Sequence, residues 1–192
     1  KTVSFKLPKT INASVDLNSI QTRAANVVGL IQSGNRKYRD EYVVIGAHFD
    51  HLGKGGAGTG SRKPDTIGIH SGADDNASGT SGLLELAQKL VSQKSRLKRS
   101  IILLGFDAEE KGLLGAKYFT ENPLVDLQNI VAMINLDMIG RMKDSSITVG
   151  GVGTSPLFEL LLNEESIGRN FTINMTKPGY GPSDHAAFYI KD

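Results

Sequence analysis

The stretch Ile101-Ile-Leu-Leu-Gly-Phe106-Asp107-Ala-Glu109-Glu110 begins as a nearly unbroken apolar run and ends in three carboxylates. So short a continuous apolar run is the pattern of a strand covered on both faces, which belongs in the middle of a sheet. Ile130-Val-Ala-Met-Ile-Asn-Leu136 repeats the pattern and runs into Asp137. Tyr42-Val-Val-Ile-Gly-Ala47 is a third β-rich run and leads into His48-Phe-Asp50-His51. Upstream, Asn26 to Ile31 reads as its hairpin partner across the polar turn Gln32 to Asp40, and Val3 to Leu7 as an edge strand stopped by Pro8. Between the strands the period changes. Leu83, Leu84, Leu86, Ala87, Leu90 and Val91 recur at helical spacing after Asn76-Ala-Ser-Gly79. Leu113 to Thr120 is a shorter helix. Pro156 to Ile167 is another, with Ser155 as cap, Pro156 at the first helical position and Gly168 as stop. Strand and helix alternate from residue 42 onward, which argues for an α/β fold: a three-layer α/β/α sandwich around a mixed, mostly parallel sheet.

A chain of 192 residues, 39% hydrophobic and 22% charged with the signs scattered, is expected to form one globular domain. Its parts are N-terminal edge strands over residues 1–32 and a core over 40–192. A net charge of +2 does not imply a nucleic-acid partner, and the basic stretch Lys94 to Arg99 reads as the solvated end of a helix. No apolar run approaches the roughly 18 residues of a membrane span, so no membrane partner is expected. The absence of cysteine excludes disulfides, thiolate metal sites and cysteine nucleophiles, so any metal must be held by nitrogen and oxygen. The chain opens on Lys1 without a start methionine or signal-type segment, as an excised piece of a longer product would. The glycine-rich segment Gly53 to Gly72 runs on through Arg62-Lys-Pro instead of opening into a helix. It therefore fits a mobile surface loop near the active site better than a phosphate cradle.

Nearly every central strand ends in a potential metal ligand, and in an open α/β sheet such strand ends converge on one crevice. The set is His48, Asp74, Glu110, Asp137 and His185. Brought together without a cation, these carboxylates would repel one another and have to take up protons. Imidazole with carboxylate and no sulfur suits zinc in a catalytic role. Two ions need one bridging carboxylate, and the count is met by Asp74 as bridge, His48 with Asp137 on one ion, and Glu110 with His185 on the other.

Gly46-Ala-His48-Phe-Asp50-His51, Ser71-Gly-Ala-Asp74-Asp75-Asn-Ala-Ser-Gly79, Asp107-Ala-Glu109-Glu110-Lys-Gly-Leu, Asn135-Leu-Asp137-Met and Ser183-Asp184-His185-Ala together resemble the co-catalytic di-zinc aminopeptidases. These include secreted bacterial leucine-type enzymes and have plasma glutamate carboxypeptidase and glutaminyl cyclase as relatives. The resemblance runs in order from about residue 25 to residue 190. It implies the sandwich fold, two zinc ions on the ligands named, a cis peptide between Asp74 and Asp75, and Glu109 as general base. It further implies that Asp50 orients His48 through its far ring nitrogen and that Asp184 does similar work for His185. The substrates would be peptides with a free N-terminus, the location secreted or periplasmic, and the family's domain would continue beyond Asp192. His51 and His70 are expected outside the metal shell, and Tyr180 as a loop residue. The alternatives are a glutaminyl cyclase or carboxypeptidase of the same fold, and a non-catalytic binding module. The cyclases lack the first histidine, which His48 supplies here.

Overall fold

The computed structural model describes residues 4, 8–10, 12–17 and 21–191. The strand expected over residues 3–7 lies outside the described residues. Strands β1 (Val27–Ile31), β2 (Tyr42–His48), β3 (Ser100–Phe106) and β4 (Ile130–Asn135) form one sheet in the order β1-β3-β2-β4. The last three run parallel and β1 runs antiparallel to β3, so the sheet is mixed and mostly parallel, as expected.

The expected hairpin does not form. β1 pairs with β3, with Ile31 opposite Ile101, and β3 lies between β1 and β2. The connection over residues 32–41 is longer than the few residues of a usual hairpin loop, and it is pinned across the start of β3 instead. The Ser100 hydroxyl, fully buried, accepts from the Ser33 amide and donates to the Arg39 carbonyl; the Ser33 hydroxyl donates to the Leu97 carbonyl at 2.6 Å. Arg99 closes the corner on Glu41 at 2.7 Å. A strand as apolar as β3 gains more from two neighbours than from an edge position, and this crossing gives it both.

Alternation along the strands builds two cores, one on each face of the sheet. Val44, Ile102, Leu104 and Phe106 pack with Ala116 and Phe119 of α2 (Leu114–Glu121) and Ala187 of α4 (His185–Tyr189). On the opposite face Ile31, Ile45, Ala47 and Ile101 pack with Leu83, Leu86 and Leu90 of α1 (Gly79–Ser92). Two helical layers around one sheet are the expected sandwich. Burying a Leu or Phe side chain in such a core stabilises by about 1.5–3 kcal/mol. At Gly46 a Cβ would sit 2.5 Å from the Phe106 ring, so the glycine makes room for the largest fully buried side chain.

A second, two-stranded parallel sheet pairs β5 (Ser146–Val149) with β6 (Thr172–Met175), and α3 (Phe158–Ser166) connects them. These four-residue strands, half-exposed and rich in Thr and Asn, carry too little apolar alternation to be read from sequence. α3 starts two residues later than expected because the Ser155 hydroxyl accepts from the Leu157 amide in a turn ahead of the helix; it ends before Gly168, at φ 75°. The basic stretch after α1 is a short helical turn, Lys94–Arg96, with no buried residue.

Candidate metal centre

β2 delivers His48, which is wholly buried. Its Nδ1 hydrogen-bonds the backbone carbonyl of Asp50 at 3.1 Å, which leaves Nε2 as the free face of the ring. Nε2 lies 3.3 Å from Asp75, 3.5 Å from Asp137 and 3.9 Å from Glu109. The Asp50 carboxylate stands 3.6 Å from Nδ1 and accepts instead from the amides of Glu109 (2.9 Å) and Glu110 (3.2 Å). Asp50 thus faces the far nitrogen of His48, but its carbonyl makes the bond while its carboxylate ties the end of β2 to the loop after β3.

Of the two aspartates it is Asp75, and not the expected Asp74, that faces the centre. Asp74 turns away: its carboxylate accepts from the Gly140 amide at 2.9 Å and from the Ser78 hydroxyl at 3.3 Å. Asp75 directs one oxygen to His48 and the other to Nδ1 of His51, at 3.9 Å. The cause is local. Gly72 adopts a left-handed conformation, and within the turn Ala73–Ser78 residues Asp75 and Asn76 leave helical geometry, with a cis peptide between them, one bond later than expected. Asn76, 2% exposed, holds this kink: it donates to the Leu136 carbonyl and accepts from the amides of Gly79 and Met138. Gly79 is required here because a Cβ would run into the Leu136 carbonyl. Sequence spacing cannot decide which of two adjacent aspartates faces inward when the backbone between them and the helix is irregular.

Two groups of potential ligand atoms occur among the described residues, His48 with Asp75 and Asp137, and His51 with Asp75 and Glu110; within each, all atoms lie within 4.8 Å of one another. Three of the five residues expected to bind metal, His48, Glu110 and Asp137, fall in these groups; Asp75 stands where Asp74 was expected, and His185 at the head of α4 joins neither group. His51 was expected outside. Its signal was its place three residues after His48, beyond the same strand end. Tyr180 is 66% exposed, beside α2 and α4.

Electrostatics follow from burial and crowding. Burial pushes Glu109 up to about 7; the His48 charge opposes this, and the carboxylates of Asp137, Glu110 and Asp50 add to it. Burial alone would lower His48, but Asp137 and Asp50 beside the ring, with the charge of Glu109, outweigh it and hold the imidazole up at about 11. Partial burial would raise Asp137, yet His48 and the Ser183 hydroxyl hold it below the usual carboxylate range. Asp184, fully buried with both carboxylate oxygens unpartnered, is driven up to about 7, first by burial. Burial lowers His185.

The donor set fits a divalent cation. His48 Nε2, His51 Nδ1, Glu110 Oε1 and Asp137 Oδ1 are buried and face one another, His48 Nε2 3.5 Å from Asp137 and His51 Nδ1 2.6 Å from Glu110. A cation satisfies such crowded nitrogen and oxygen lone pairs together and relieves the repulsion among the carboxylates. Nitrogen and carboxylate ligands without sulfur are those of catalytic zinc.

Beside His51 the Gly53 to Gly72 loop closes on itself through Gly68 N to Lys54 O and His70 N to Gly53 O, both 2.8 Å. It walls a cleft of about 450 Å³ with Lys63, Thr66, Ile69 and His70.

Aminopeptidase YwaD of Bacillus subtilis is 33% identical to this chain over 170 residues, covering 85% of the chain and 33% of its own length. Aminopeptidase NAALADL1 of Mus musculus is 32% identical over 214 residues, covering 96% of the chain and 26% of its own. The aminopeptidase from Aneurinibacillus sp. strain AM-1 superposes with a TM-score of 0.64 at 25% identity, over 86% of this chain and 36% of that one. The chain therefore spans a third or less of the length of the curated relatives it matches here. The model of Peptidase family M28 matches residues 26–192, a span that holds both ligand groups, and the chain belongs to that family of zinc-dependent peptidases.

Proposed function

We propose that this chain carries the catalytic centre of an aminopeptidase that hydrolyses the N-terminal bond of peptides with the help of two zinc ions. The observation that supports it is the aim of Asp75, one carboxylate oxygen toward each of two histidine-containing groups, as a carboxylate shared by two cations requires. His48, Asp75 and Asp137 would hold one ion, and Asp75 and Glu110 the other. When bound, zinc makes water acidic near neutral pH and polarises the peptide carbonyl.

The protein's own residues do the rest. Glu109 sits beside the centre, buried enough to be pushed up to about 7, so it is free to accept a proton near neutrality and strong enough an acid to return it. Its carboxylate takes the proton of the attacking water and delivers it to the departing amine. Asp50 holds Glu109 and Glu110 in place by their amides while its carbonyl fixes the ring of His48, so one residue positions both sides of the centre. The carboxylates crowded there attract the cationic α-amino group of a free N-terminus, which fits removal of residues from that end. An exported location belongs to the same proposal, to be tested by fractionating cells that make the whole protein.

The direct test is a panel of aminoacyl chromogenic amides, offered free and N-acetylated, with and without chelator. Free amides are expected to be cleaved, acetylated ones spared, and chelator to abolish turnover in a way zinc restores. Cleavage that survives complete chelation, or that ignores N-acetylation, would remove the proposal.

A further inference from the structure

We propose that the molecule carries, at the end of the sheet opposite the metal centre, a basic face that docks it on the phosphate-rich surface of an anionic lipid bilayer. Two segments build this face. The loop between β1 and β2 contributes Arg36, Lys37 and Arg39, and the connection between α1 and β3 contributes Lys94, Arg96, Lys98 and Arg99. In the sequence alone Lys94 to Arg99 reads as a solvated helix end, because the other stretch lies far upstream. The fold joins them: the Ser33 hydroxyl donates to the carbonyls of Leu97 and Lys98, and Lys37 and Arg99 share the ring of Tyr38, 4.7 and 5.2 Å from its centre. Against these seven cations stand only Asp40 and Glu41, a net of +5 in a chain whose total is +2, so the rest of the molecule carries −3. Glu41 pairs with Arg99 and Asp40 with Arg39. Arg36, Lys37, Lys94, Arg96 and Lys98 are exposed, with no carboxylate in ion-pair reach among the described residues.

These cations do not serve to balance the acidic centre. β2 and β3 run parallel over seven residues each; the basic segments precede their first residues and the carboxylates of the centre follow their last. Strands of that length set the two poles about 20 Å apart, beyond the roughly 8 Å over which charges act in physiological salt. The basic face therefore calls for an anion from outside. On a bilayer of anionic lipids each Lys or Arg at the surface strengthens binding by about fivefold. Val91, three residues before Lys94, is 58% exposed and adds apolar contact of the kind that supports binding in the headgroup region. The ring of Tyr38, the one aromatic side chain in the two segments, is engaged by Lys37 and Arg99, which leaves none to stack on a nucleic-acid base. No helix of the described residues is long and apolar enough to cross a membrane, which bears on insertion and not on docking. Docked by this face, the molecule holds its metal centre toward the solution.

The test is co-sedimentation of the whole protein with vesicles of phosphatidylcholine alone and of phosphatidylcholine mixed with phosphatidylglycerol, at low and at physiological salt. Binding is expected on the mixed vesicles only, and weaker at the higher salt. Combined Arg36→Gln, Lys94→Gln and Lys98→Gln is expected to lose about a hundredfold in affinity for the mixed vesicles, with an unchanged thermal melt because all three side chains are exposed. The single Lys98→Gln, expected to lose about fivefold, decides should the triple variant fail to fold. Removing as many exposed cations elsewhere, by Lys117→Gln, Lys143→Gln and Lys177→Gln, is expected to leave vesicle binding nearly as it was. Equal losses in the two triple variants would reduce the effect to net charge and overturn the proposal. So would binding to phosphatidylcholine alone, no binding to the mixed vesicles, or tighter binding of a DNA duplex than of the mixed vesicles at the same salt.

Discussion

At the scale of single residues, neighbouring acids divide the work because successive side chains leave the backbone in different directions. Asp74 caps local amides while Asp75 enters the centre, and Glu110 faces His51 while Glu109 faces His48. That Glu109 and Glu110 face different neighbours was readable, since adjacent side chains point differently. The Asp74 and Asp75 division was not, because a kinked turn has no period. If Glu109 only exchanges the proton, Glu109→Gln should bind zinc as wild type does and lose about 10²- to 10⁴-fold in kcat. Zinc content by atomic absorption alongside turnover checks this, and unchanged turnover would leave the base unassigned.

At the scale of elements, the site depends on how the segment between loop and α1 is lashed to the end of β4. Asp74 and Ser78 accept from the amides of Gly140 and Ile139, and the buried Asn76 lies at the centre of that lashing, with one donor and one acceptor serving three backbone groups. Asn76→Ala would orphan the Leu136 carbonyl and two amides beside a buried site. A loss of about 1–3 kcal/mol for an unpaired buried group is expected in urea unfolding of the metal-free protein. The same variant should bind zinc more weakly, since Asp75 precedes the lashing. Stability within about 0.5 kcal/mol of wild type would mean that Asp75 is held by other contacts. The misread hairpin belongs at this scale too. Strand identity was legible from composition and pattern, but the partner of β1 was settled by Ser33 and Ser100, 67 residues apart in the chain.

At the scale of the molecule, the centre couples folding to pH and to metal. His48 is held at about 11 in the fold against an ordinary 6.5, so the stability it contributes is complete below about pH 6.5 and is lost as pH rises toward 11. Glu109 and Asp184, raised to about 7, contribute stability at low pH that is lost by neutrality. Burial makes His185 act oppositely, but only below its ordinary value of 6.5. Between pH 7 and 9, therefore, His48 dominates. The metal-free protein should melt at a lower temperature at pH 9 than at pH 7, and the rise on adding zinc should grow over the same interval, because the cation must displace the proton on His48. Thermal melts with and without zinc measure both; a zinc-induced rise that shrinks from pH 7 to 9 would count against His48 as a ligand. The sequence by itself determined the fold class, the strand ends that meet, His48, Glu110 and Asp137 as ligand candidates, and zinc as the suitable metal, because apolar runs and donor chemistry are local properties. Only the tertiary structure decided that Asp75 takes the shared position, that His51 enters the centre and that β3 separates β1 from β2, because these depend on backbone direction and on contacts between segments far apart in the chain.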